Sequence, residues 1–117
     1  MNHLNSVLFE GIAVKDPERI TLQKSDAVLV KFTVESSRSY LDSEGEMKTE
    51  KTAVPVQCWG ELGEKVLERI RKGSAVRVVG RLRYTRWISP SGSTVKSIEI
   101  VAEHVETRKG TEAEADK

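Results

Sequence analysis

Arg77, Arg81, Arg83 and Trp87 share one parity of a single alternating stretch, so that on a β-strand all four side chains point to the same side. Guanidinium groups grip phosphates in a bidentate fashion, and a flat indole offers a stacking surface to an unpaired base. The stretch around them, Arg69 to Trp87, holds seven of the nineteen Lys and Arg residues and no Asp or Glu. Val76, Val78 and Leu82 take the opposite parity and read as its buried face. Taken alone, the same pattern also describes a solvated strand whose arginines keep a protein soluble. Two further aromatics weigh against that plainer reading. Trp59 falls on the outward parity of its own strand, directly before a helix, and Tyr40 stands alone in a polar segment with no evident core to join. Tyr84 shares parity with Leu82 and is expected in the core or at its rim.

The remaining chemistry is sparse. Cys58 is the one cysteine, set in Val-Pro-Val-Gln-Cys, so it reads as a buried reduced thiol and no intrachain disulfide can form. His3 and His104 have no partner at ligand spacing, and neither an HxxxH nor a CxxC pattern occurs. No Gly-rich phosphate loop and no Ser, His and Asp set in recognisable context is present. The expectation is therefore a protein that is not an enzyme, with no cofactor and no metal. The formal charge of +1 does not mark a nucleic-acid binder by bulk; what is informative is the segregation of basic residues into one acid-free block. With no signal pattern at the start and no apolar run of membrane-spanning length, the chain is expected to be soluble and cytoplasmic.

The elements that must position these residues follow from periodicity. Strands are expected at Ser6 to Val14, Ala27 to Ser37, Ala53 to Trp59, Ala75 to about Trp87, and Val95 to Val105. A helix is expected at Glu61 to Arg71, with Leu62, Val66, Leu67 and Ile70 as its apolar stripe and Gly73 as its left-handed stop. Ser36 to Thr52 reads as a long polar loop, and Pro55 predicts a bulge or an edge in the third strand. Arg77 has a salt bridge to a neighbouring strand, for instance to Glu99, as its alternative role. The order predicts an all-β domain with one helix, a five-stranded antiparallel Greek-key barrel of the OB-fold type with the helix between strands 3 and 4. An α+β sandwich is the alternative, and mid-strand Gly11 and Gly80 favour closure. The domain is expected over residues 1–105, followed by a short disordered acidic tail over 106–117.

The order and spacing of several short pieces resemble the bacterial single-stranded DNA-binding protein family. They are Leu4-Asn5, Gly11 with Asp16-Pro17-Glu18, Lys31-Phe32-Thr33-Val34, Trp59-Gly60-Glu61-Leu62, Lys72-Gly73-Ser74, Gly80-Arg81-Leu82, and Trp87 before Ser91-Gly92. The resemblance implies a homotetramer of OB-fold barrels that wraps single-stranded DNA in replication, recombination and repair, in a bacterial cytoplasm at the nucleoid. It implies stacking roles for Tyr40, Trp59 and Trp87 and strand contacts for Lys72 and Arg86, to which the residue pattern adds Arg77, Arg81 and Arg83. Three departures stand out. Ala53, Val54 and Pro55 occupy a region where many members carry a tryptophan, and Glu61 stands where some have a lysine. The chain also closes on Glu112 to Lys117 without the acidic, hydrophobic-ended tip that recruits replication and repair proteins. Two other readings remain open from the residues: a primosomal or RNA-directed relative of the same fold, and a barrel that binds protein through its basic face.

Overall fold

Extended chain buries one face of an alternating sequence most economically, and most of this protein is strand. The computed structural model describes residues 2–22 and 25–107. In chain order the elements are β1 (Val7–Ala13), β2 (Glu18–Ile20), β3 (Leu29–Leu41), β4 (Met47–Trp59), α1 (Glu61–Arg69), β5 (Ala75–Ile88) and β6 (Thr94–Thr107). The strands run β1-β5-β6-β4-β3, and β1 returns to pair with β3, so five long strands close into a barrel with one helix. The short β2, which the sequence did not signal, pairs with the start of β3. One junction corrects the expectation of an all-antiparallel barrel: β4 and β6 run parallel, through Val56–Ile100 and Gln57–Val101. A parallel neighbour needs a crossover, and α1 with β5 supplies it.

Closure depends on two glycines. β1 leaves β5 and joins β3 at Ile12 and Ala13, and a Cβ on Gly11 would collide with the Glu35 carbonyl. β5 shifts register against β6 between Val79 and Gly80, and a Cβ on Gly80 would collide with the Val101 carbonyl. Inside lie Ala13, Val30, Phe32, Val34, Val56, Cys58, Val76, Val78 and Ile100, with Val66 and Ile70 from the helix side. α1 lies across β3, β4 and β6. Gly60, at φ 66°, caps it without a side-chain bond, and Glu61 and Glu64 suit the positive end of its dipole. It ends sooner than expected. Ile70 turns extended so that its side chain enters the core, 2% exposed, and Gly73 instead shapes the turn into β5, donating to the Ala13 carbonyl.

Other expectations are corrected by pairing. Ser36 to Thr52 is no loop: β3 and β4 stay in continuous register out to Leu41 and Met47, leaving a short turn in which Asp42 Oδ1 accepts from the Glu44 and Glu46 N–H groups. Past the barrel this ribbon has no core to face, so the apolar alternation that marks a strand is missing while the ladder continues. At Pro55, by contrast, the expectation of a bulge or an edge holds in its second form: among the described residues β4 has β6 beside it only at Val56 and Gln57, so Pro55 lies at an edge without a bulge. Tyr84 lies in neither core nor rim; it is 57% exposed on the β5–β6 ribbon, beyond the point where inward parity meets other side chains. β6 continues through Glu106 and Thr107, both paired with β5, while the rest of the expected acidic tail lies outside the described residues. Among the described residues, no helix is long and apolar enough to cross a membrane.

If backbone contact at Gly80 closes the barrel, Gly80→Ala will destabilise the fold by at least about 2 kcal/mol. Urea unfolding should then show a lowered midpoint with an unchanged slope.

Candidate nucleic-acid interface

Residues directly opposite one another on paired strands project to the same side, so register alone assembles a surface. On the outer side β3 and β4 place Leu29 beside Trp59 and Lys31 beside Gln57. The β5–β6 ladder places Arg81 beside Val101, Arg83 beside Glu99, Thr85 beside Ser97 and Trp87 beside Val95. Trp59, Arg81, Arg83 and Trp87 thus share the outer side of one wall, with the indoles 37% and 52% exposed. Trp59 is held at the end of β4 where Gly60 breaks into α1, and Trp87 projects on the ribbon past the barrel.

A polar network lies beneath Trp59. Its indole N–H donates to Gln57 Oε1 at 3.0 Å, Gln57 Nε2 donates to Glu99 Oε1 at 2.8 Å, and Lys31 Nζ donates to Glu99 Oε2 at 3.2 Å. Gln57 and Glu99 are the buried polar residues of the described chain. Burial alone would raise the Glu99 carboxyl, but hydrogen bonds from Gln57 and Lys31, the Lys31 charge and a bond from Ser97 outweigh it and hold the group below its ordinary value. Lys31 and Glu99 escaped the sequence reading as members of this face. The signal that could have found them is a charged residue on the outward parity of each of two strands otherwise rich in apolar residues.

The other proposed site residues are distributed differently. Arg77 bridges Glu10 at 2.5 Å and stands 3.8 Å from Glu106, so its pairing is with β1 and β6 and not with Glu99. Glu99 faces Arg83, six residues further along β5, and takes Lys31 instead. Arg81 lies 3.8 Å from Glu103, whereas Arg83, Arg86 and Lys72 have no carboxylate within salt-bridge reach among the described residues. Arg86 alternates to the side of Leu82 and Tyr84, opposite Lys96 and away from Trp87. Lys72 occupies the turn between α1 and β5, where its backbone N–H is bound by Asp16 Oδ1. Tyr40 sits on the β3–β4 ribbon at the parity of Val34, 40% exposed, with the Arg38 guanidinium 5.4 Å from its ring centre. The structure therefore sets Trp59, Arg81 and Arg83 on the outer barrel wall, continues the same side of β5 out to Trp87 on the ribbon, and places Tyr40, Lys72, Arg77 and Arg86 elsewhere.

With this geometry in place, comparison with known proteins is specific. The model of the Single-strand binding protein family matches residues 4–108. The chain is 32% identical to the single-stranded DNA-binding protein of Aquifex aeolicus over 97% of its own length and 78% of that protein. It is 29% identical to single-stranded DNA-binding protein 2 of Chlorobaculum tepidum over 91% of its length and 72% of the relative. Among solved structures, a Plasmodium falciparum SSB in complex with ssDNA superposes with a TM-score of 0.81 at 17% identity, covering 93% of this chain and 98% of that one. A deletion mutant of the Thermus aquaticus single-stranded DNA binding protein superposes with a TM-score of 0.77 at 20% identity, covering 92% of this chain and 51% of that one. These two show that the fold is shared.

Cys58 lies fully inside the barrel, where loss of water pushes its thiol up to about 12. The folded value exceeds the ordinary value near 8.5, so the neutral thiol's contribution to the folded state is complete below that value and is lost progressively as pH rises from there through about 12. An aromatic disulfide reagent at pH 8 is accordingly expected to leave the native thiol untouched and to titrate it after guanidinium unfolding.

Proposed function

The chain belongs to the single-strand binding protein family, and from that premise we propose that it binds and protects single-stranded DNA in a sequence-tolerant way during replication, recombination and repair. The observation that carries this reading is the outer side of the sheet, where Trp59 on the barrel wall and Trp87 on the ribbon lie exposed at either end of Arg81 and Arg83. Trp59 and Trp87 stack bases; Arg81 and Arg83 hold the phosphates between them. Tyr40 and Arg86 on the two projecting ribbons, with Lys72 at the α1–β5 turn, extend the path beyond the barrel. Arg77, already matched by Glu10 and Glu106, contributes least. No reacting group is needed: every base has a π-face worth about 1–3 kcal/mol on an aromatic ring, so stacking holds any sequence, and the protein acts by binding without turnover.

The assembly we propose is a homotetramer, working in the bacterial cytoplasm at the nucleoid. β1 supports it: over Val7–Gly11 this strand has β5 on one side and, among the described residues, no strand on the other, and its outward Leu8 is 68% exposed, with Ile12 at the end of that edge 45% exposed. An open edge with apolar outward residues invites pairing with another copy. Several barrels on one strand would multiply a short footprint by effective concentration rather than by new contacts.

Titration with oligothymidylate is expected to quench tryptophan emission, with affinity falling as salt rises by about 0.7 log units per log unit of salt for each phosphate contact. Trp59→Ala and Trp87→Ala should each weaken binding by about 1–3 kcal/mol. Arg83→Ala should flatten the salt dependence more than Arg77→Ala does. Unchanged emission at low salt overturns the reading. Light scattering of the free protein is expected to give four times the 13.1 kDa chain; a monomer mass overturns the assembly while leaving binding to be judged by the titration.

A further inference from the structure

We propose that Gln57 and Glu99 are positioning residues that fix the Trp59 indole for stacking; the proposal rests on the single-strand-binding reading above. Trp59 stands at the last residue of β4, 37% exposed, where a free indole would have two side-chain torsions to explore. Its N–H is instead tied at 3.0 Å to Gln57 Oε1, and Gln57 Nε2 is tied at 2.8 Å to Glu99 Oε1. An indole N–H can only donate and an ionised carboxylate can only accept. An amide placed between them therefore has one satisfying orientation, with nitrogen toward Glu99 and oxygen toward Trp59. Lys31, bound to the same carboxylate at 3.2 Å, keeps Glu99 ionised and hence acceptor-only. The chain of donors runs one way, from both Lys31 and Gln57 into Glu99, and from Trp59 into Gln57.

Burial gives this order its force. Gln57 is 5% exposed and the Glu99 side chain 6% exposed, so water cannot replace either partner without reopening the wall between β4 and β6. The three links come from β3, β4 and β6, which makes the ring position a property of the barrel and not of one strand. A ring whose single polar atom is committed inward offers a passing strand its π surface and no donor with which to read base edges. That is the condition for sequence tolerance at this position.

The test separates positioning from stability and from the binding reading. In a Trp87→Phe background Trp59 is the sole indole, and its anisotropy and acrylamide quenching are measured in the free protein. Gln57→Leu and, independently, Glu99→Leu are expected to lower the anisotropy and raise the quenching, with thermal melts confirming that each variant is folded. In the chain that retains both tryptophans, Gln57→Leu should weaken oligothymidylate binding by about three- to tenfold, the scale of one hydrogen bond. In a Trp59→Phe background, where the ring has no N–H to hold, the further loss should be less than about twofold. Equal losses in both backgrounds, or indole signals unmoved by both substitutions, overturn the proposal. Failure of the unaltered protein to bind at low salt overturns the functional reading, and the free-protein signals still decide the positioning.

Discussion

At Gly11 and Gly80 a side chain of any size would meet a carbonyl of the neighbouring strand, Glu35 and Val101 respectively. Those two close approaches let β1 leave β5 for β3 and let β5 shift against β6, and without them the sheet would stay open. A closed barrel divides the residues of its wall into inside and outside. The inside is filled by valine, isoleucine, alanine, phenylalanine and one cysteine. Anything polar on these strands is thereby driven outward, and the outer wall over β3, β4, β6 and β5 inherits whatever chemistry the sequence holds at that parity.

Charge on that wall is organised locally, which is why a net charge of +1 says little about it. Glu10 and Glu106 flank Arg77 on one stretch, and Lys31 answers Glu99 on another. These pairs cancel at short range, and the exposed ones contribute little to stability in water. Arg83 and Arg86, further along β5, have no such partner among the described residues. A phosphate approaching the molecule would meet a neutralised surface around Arg77 and uncompensated guanidiniums along the ribbon. On the proposed reading, that difference favours the unpaired β5 arginines over Arg77 as the place where a polyanion settles, even when the whole chain is nearly neutral.

How far the residues disclosed this arrangement depends on whether a core stood behind them. Where a strand packs on the barrel interior, alternation was informative: Val54, Val56 and Cys58 point inward and Gln57 and Trp59 outward, as their spacing implies. Beyond the barrel the same rule lost its meaning. Ser36 to Thr52 reads as loop because neither side of the ribbon is apolar, yet its ladder is unbroken. Tyr84 and Leu82 keep the inward parity of β5 but are 57% and 45% exposed, although they pair with Ile98 and Ile100. The parallel β4–β6 junction and the polar links from Lys31 to Trp59 join residues far apart in sequence, which no local periodicity encodes. The strand order and the outward indoles were therefore legible; the pairing partners of the charges were not.

The two projecting ribbons explain how a small barrel can meet an irregular ligand. A single strand of nucleic acid has no fixed shape, so a rigid concave site would match few of its conformations. Here the rigid part is confined to the barrel wall, where burial locks Gln57 and Glu99 under Trp59. Tyr40, Arg86 and Trp87 instead ride on antiparallel pairs whose residues are largely solvated on both sides. Such ribbons keep their ladder hydrogen bonds but lack core packing, which places them toward the more easily deformed end of a structure. With stacking worth about 1–3 kcal/mol per base and exposed charge pairs far less, the proposed reading gives a strand one fixed ring on the wall as a common anchor and rings on the more deformable arms that adapt to its path.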